Sequence, residues 1–142
     1  MQIRERIEGI RSSIIAKQAA GIVAPGTEDW TLTGPDGVTV DRATYLARAE
    51  ATMARVVAVA SLTTTIDRLE FKSSDVARIE LTQTMVRVER AADGKGTTRL
   101  WLHYREEHTW VQAADGWRVR KVVFVGTPER RVLADGEAPP KR

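Results

Sequence analysis

From Leu62 onward apolar and polar residues alternate in four runs: Leu62 to Phe71, Val76 to Arg90, Thr97 to Gln112 and Trp117 to Val125. A period of two marks strands that bury one face. Between the runs stand Lys72-Ser73-Ser74-Asp75, Ala92-Asp93-Gly94-Lys95-Gly96 and Ala114-Asp115-Gly116, where Asp and Gly tolerate the backbone angles that hairpin loops demand. The second half therefore reads as one antiparallel meander over residues 61–126, followed by a tail at 127–142.

The first half has a different period. Ile3, Ile7, Ile10 and Ile14 share one stripe of a helix within residues 1–20, with Arg4, Glu5, Glu8, Arg11 and Lys17 turned to water. Gly21 and Pro25-Gly26 end that pattern, and Gly34-Pro35-Asp36-Gly37 marks a turn. Asp41 stands at the N-cap of a second helix, predicted over 41–58, whose apolar face is Leu46, Ala49 and Met53 with Tyr45 at its edge. Val56 to Ala60 is too short a run to reveal its period, and the change from helix to strand is placed near Val59. Helices first and strands last predict an α+β domain in which a curved antiparallel sheet wraps around N-terminal helices as a cone.

Parity divides each strand into two faces. In the third run Leu100, Leu102, Tyr104, Glu106, His108 and Trp110 form the inward set, while Arg99, Trp101, His103, Arg105, Glu107 and Thr109 face outward. In the second run Ile79, Leu81 and Met85 share a face opposite Arg78, Glu80, Thr82 and Thr84, and Val86 with Val88 breaks the pattern, which predicts a bulge near Met85. In the last run composition does not choose between the set of Trp117, Val119, Lys121, Val123 and Val125 and the set of Arg118, Arg120, Val122 and Phe124.

A chain of 142 residues with 42% apolar and 29% charged content suits one independently folding domain. Its longest unbroken apolar run, Val56 to Ala60, cannot span a bilayer, and the start lacks the apolar core of a secretory signal, so a cytoplasmic location is expected. The net charge of +3 comes from 22 basic residues interleaved with 19 acidic ones. A mixed surface of that kind gives no phosphate-tracking stripe, so no nucleic-acid partner is expected. Without Cys, disulfides and thiolate metal sites are excluded.

Asp29-Trp30-Thr31-Leu32-Thr33-Gly34-Pro35-Asp36-Gly37, His108-Thr109-Trp110-Val111, Asp115-Gly116-Trp117-Arg118-Val119 and the closing Val132-Leu133-Ala134-Asp135-Gly136 resemble the nuclear transport factor 2-like superfamily. That group includes SnoaL-like cyclases and ketosteroid isomerases. The resemblance covers essentially the whole chain and implies a cystatin-like cone, a pocket between sheet and helices, and a homodimer through the outer sheet face. It also turns Val122 and Phe124 inward. The isomerases' carboxylate base falls at Gly34 here, their tyrosine donor has no counterpart on the first helix, and their protonated aspartate donor matches His108.

The candidate chemistry is Tyr104, Glu106 and His108 in one pocket, since a histidine beside a carboxylate serves as general acid or base near neutral pH. Against it stands a histidine merely hydrogen-bonded in the core. The pocket wall is assigned to Trp30, Tyr45, Met85, Leu102, Trp110, Val122 and Phe124, suited to a small apolar or aromatic organic ligand. His103 and His108 lie on opposite faces and cannot chelate, so no metal and no cofactor are expected. Arg87 and Arg120 are weighed as anion clamps against ordinary snorkelling to solvent. Trp101 is assigned to a dimer contact. The resulting expectation is a SnoaL-like small-molecule-binding domain whose enzymatic form is a cofactor-independent isomerase, cyclase or lyase. The competing expectation is an association module with a vestigial pocket.

Overall fold

The computed structural model describes residues 2–141. Helix α1, Gln2–Ile15, buries Ile3, Ile7 and Ile14, and Ile10 packs alongside them, so the isoleucine stripe faces the sheet. It stops where Lys17 takes a left-handed backbone angle (φ 56°), and the chain turns into the short α2, Ala19–Val23. A methyl group at Gly21 would overlap the Ser13 side chain, so only glycine allows this close approach.

Next come β1, Gly26–Thr33, and β2, Thr39–Asp41, which form a small hairpin around Gly37 (φ 78°). The Asp41 side chain accepts the Thr44 backbone N–H at 2.8 Å and starts α3, Arg42–Arg55. The helix ends three residues before the expected boundary near Val59. Val56 is already extended (ψ 123°) and pairs with Glu89, because β-branched Val56 and Val57 favour the pleated surface. Four long strands follow: β3 Val56–Phe71, β4 Val76–Arg90, β5 Thr97–Ala113 and β6 Gly116–Leu133.

They form one six-stranded sheet in the order β2-β1-β6-β5-β4-β3. All neighbours are antiparallel except β1, which lies parallel to β6 with Leu32 beside Val122. The strand β6 continues past residue 126, where the pattern had placed the start of a tail, because Glu129 to Leu133 keep pairing with β5. The expected bulge near Met85 is not on β4, which pairs with β5 without a break from Val76↔Val111 to Arg90↔Thr97. The extra residues belong to β3, where the register shifts between Val59 and Ser61, opposite Val86. On β6 neither parity holds throughout. A shift beside Thr109 and Trp110 turns both Val119 (1% exposed) and Val122 (5%) inward.

Three bodies of apolar contact result, one of them the small group of Ile14, Leu62 and Met85. The main core joins α1, β1 and the concave sheet face through Ile3, Ile7, Trp30, Ile79, Leu81, Trp110 and Val119. A smaller cluster on the convex face holds Val86, Trp101 and Leu133. Trp101 is only 2% exposed there, closed over within its own chain and stacked on His103 at 5.7 Å, so it is not an open dimer contact. Beyond it Arg99 donates to the carbonyls of Ala134 and Glu137, and Arg131 pairs with the Glu137 carboxylate at 3.0 Å.

Candidate functional site

The concave face does not meet the helices everywhere. Between α1, α3 and the middle of the sheet lies an inner chamber of about 60 Å³, and it opens beside Tyr45 and Tyr104 into a wider vestibule of about 680 Å³. The five residues Ile14, Ile22, Leu32, Tyr45 and Tyr104 line both, which makes them the throat between the two spaces.

Strand geometry explains what the chamber contains. Alternate residues Tyr104, Glu106 and His108 of β5 project to one face and stand in a row along its wall. Opposite them on β4 are Gln83, Leu81 and Ile79. Trp30, Tyr45, Val119 and Val122 complete the wall together with Ile7 and Ile10 of α1. The vestibule is bounded by Met53, Met85, Phe124, Arg48 and Arg87, with the Gly34-Pro35-Asp36 turn at its rim.

Of the residues assigned to the pocket from sequence, the structure therefore brings Tyr104, Glu106, His108, Trp30, Tyr45 and Val122 to the chamber, and Met85 and Phe124 to the vestibule. Leu102 and Trp110 are not on the wall. Leu102 packs on Ile14, Leu62 and Met85, and Trp110 is fully buried behind His108 in the main core. Parity gave their side of the sheet correctly, yet depth along the strand decides whether a side chain meets a cavity or a neighbour. Arg87 does turn inward, where it is held by Glu89 at 3.1 Å. Arg120 lies outside, beside Asp29 at 3.5 Å, because the β6 shift rotates it away from the cavity. Gln83 was missed, although its parity between Leu81 and Met85 already marked it as a polar residue on an apolar face.

The hydrogen bonds of this group run in one direction. Thr64 Oγ1 donates to Gln83 Oε1 at 3.1 Å, which leaves the Gln83 amide N–H groups for the cavity. Trp110 Nε1 donates to His108 Nδ1 at 3.3 Å, and His108 Nε2 lies 3.1 Å from Glu106 Oε1. Both imidazole nitrogens are thus engaged by protein. Glu106 is 9% exposed and His108 5%. The second Glu106 oxygen and both tyrosine hydroxyls have no hydrogen-bond partner among the described residues and are left to the chamber.

Both tyrosines are held in the protonated form. Burial pushes the Tyr45 hydroxyl up to about 12, with the Glu106 charge adding to the shift. Tyr104 is raised well above its ordinary value, again by burial first and then by Glu106 and Tyr45. At neutral pH each is a donor that a ligand oxygen can use. No cluster of three or more His, Asp or Glu side chains that could hold a metal ion occurs among the described residues. His103, on the convex face, is bonded to Thr84 Oγ1 at 2.8 Å. No described helix is long and apolar enough to cross a membrane.

No protein-family model matches the sequence, and comparison with curated proteins finds no match. Solved structures do share its architecture. A candidate scytalone dehydratase from Novosphingobium aromaticivorans is 14% identical with a TM-score of 0.73, over 97% of this chain and 89% of that one. A ketosteroid isomerase-like protein from Erwinia carotovora atroseptica is 15% identical with a TM-score of 0.67, over 88% and 95%. A nuclear transport factor 2-like protein from Cytophaga hutchinsonii is 13% identical with a TM-score of 0.68, also over 88% and 95%. At these identities the likeness is one of fold.

Proposed function

We propose that this chain, whose fold is the cystatin-like cone of nuclear transport factor 2-like proteins, binds a small, mostly apolar organic molecule with its oxygen-bearing end in the chamber, and that Glu106 moves a proton beside that end. One observation carries the reading: a nearly buried carboxylate stands on the wall of a chamber whose throat includes two protonated tyrosines. The vestibule volume of about 680 Å³ falls within the roughly 300–1,000 Å³ of ordinary ligand sites. Met53, Met85 and Phe124 supply its apolar wall.

For a carbonyl substrate the chemistry follows from the donors present. The free Glu106 oxygen takes a proton from the carbon next to the carbonyl, the C–H electron pair moves into a C–C double bond, and the carbonyl oxygen gains negative charge. Tyr45, Tyr104 and the Gln83 amide are the groups available to donate hydrogen bonds to that oxygen. Return of the proton to a different carbon gives isomerisation; where the next carbon bears a hydroxyl, the enolate pair expels it with the C–O electrons, the proton held by Glu106 passes to that oxygen, and water is lost. The unfilled vestibule favours this reading over an association module with a vestigial pocket. A second copy on the convex face would meet Val123 and Val125, which pair there with Glu107 and Arg105, rather than Trp101.

The test is deuterium uptake into 2-tetralone in D₂O, followed by proton NMR. The native chain is expected to accelerate exchange at the carbons flanking the carbonyl, and Glu106→Gln to lower that acceleration by about 100-fold or more. Equal exchange by both chains would remove Glu106 from the chemistry.

A further inference from the structure

The three residues Glu106, His108 and Trp110 are alternate positions of one strand, so their side chains stand side by side on one face. Burial deepens along the row, from 9% exposed through 5% to none. The innermost member decides the state of the next. An indole N–H can only donate, so the Trp110 contact at 3.3 Å requires a bare lone pair on His108 Nδ1. A neutral imidazole with Nδ1 bare carries its hydrogen on Nε2, and Nε2 is the nitrogen that faces Glu106 Oε1 at 3.1 Å. Cross-strand neighbours do not compete, because Ile79 on β4 and Val122 on β6 flank His108 and both are apolar. Arg11, the cation on the chamber wall, is engaged by the Leu62 carbonyl and by Glu8.

We infer that Trp110, His108 and Glu106 form a tautomer-locked relay: the buried indole fixes His108 as an Nε2–H donor, and that donor holds one oxygen of Glu106 so that the other faces the chamber. Trp110 and His108 are then positioning residues, and of these three only Glu106 meets the ligand. The relay's role in turnover rests on the proposed function, whereas the tautomer itself does not. This assignment also differs from a histidine acting as the acid or base, because neither ring nitrogen is left for a substrate.

Two experiments separate these layers. Long-range proton–nitrogen NMR on ¹⁵N-labelled protein reads the tautomer directly, and with only two histidines in the chain a His103→Gln variant assigns the signals. The expected pattern at pH 7.5 is a protonated Nε2 and an unprotonated Nδ1 for His108. Glu106→Gln should leave that pattern in place, since the indole sets it, while adding Trp110→Phe to that variant removes both groups that select Nε2–H and should move both nitrogens toward the averaged shifts of mixed tautomers. An Nδ1–H form in the native chain, or a tautomer that flips in Glu106→Gln, would overturn the lock; the single Gln variant keeps this decisive if the double variant fails to fold.

The second experiment uses the 2-tetralone exchange. Gln places an amide nitrogen near the position of imidazole Nε2, so His108→Gln should keep most of kcat, while His108→Ala should lose about tenfold or more with little change in KM. If His108→Gln is as slow as His108→Ala, the ring itself transfers protons and the positioning role is wrong. Should the native chain show no exchange at all, the proposed chemistry fails while the NMR result still decides the tautomer.

Discussion

At the scale of single residues, much of the chamber is visible in the alternation of one strand. Tyr104, Glu106 and His108 follow from parity, because a strand cannot turn neighbouring positions to the same face. Trp110 obeys the same rule yet sits beyond the cavity, and the alternation has no information on depth. Its role comes instead from a hydrogen bond between residues two apart, which no spacing argument ranks above packing. Tyr45 and Tyr104, the only tyrosines, make the environment measurable. Burial favours the neutral phenol, so both titrate above the ordinary value near 10. A native chain should therefore show almost no tyrosinate absorbance near 295 nm at pH 10.5, and the signal should appear on unfolding. The sign for stability follows. A raised folded value leaves stability intact below about pH 10 and removes it as pH climbs toward about 12, because the unfolded chain releases those protons first. Normal tyrosinate absorbance in the folded protein would contradict the dry, carboxylate-facing throat.

At the scale of elements, legibility tracks length and period. The isoleucine stripe of α1 and the Asp41 cap of α3 are local signals, and both elements form where those signals stand. The alternation at β1 and β2 is confined to Trp30 to Thr33 and Val38 to Asp41, too short to rank as strands alone; β1 is held by β2 on one edge and by the distant β6 on the other. Bulges are equally non-local, which is why the break in pattern at Val86 was read as a bulge. Val86 simply joins Trp101 and Leu133 on the convex face. The stripe makes a quantitative prediction. Ile3 is fully buried among main-core residues, and Ile3→Ala should cost about 2–5 kcal/mol through lost burial and the cavity left behind. Urea unfolding should show a lower midpoint with an unchanged slope, and a midpoint within error of the native chain would mean that α1 is not anchored there.

At the scale of the whole molecule, the cone and its four long strands were legible, while β1 and β2, which precede α3 and break the order of helices first and strands last, were not. The sequence pattern placed a tail from residue 127, and the structure instead continues β6 to Leu133 and ties the following residues back to Arg99. The strand β6 lies between β1 and β5 and supplies neighbours to both. A chain ending at residue 115 should accordingly fail to hold a folded core even though five of six strands are present. Circular dichroism and limited proteolysis would check this, and a cooperative, protease-resistant fragment would refute it.

The parallel pairing of β1 with β6 joins segments about ninety residues apart, Leu32 beside Val122. During synthesis β1 leaves the ribosome early and can pair with β2, but its other edge has no partner until β6 arrives. The hairpins can zip up in the meantime, but the wedge between them stays open until β6 is made, and until then an apolar seam is left for chaperones to shield.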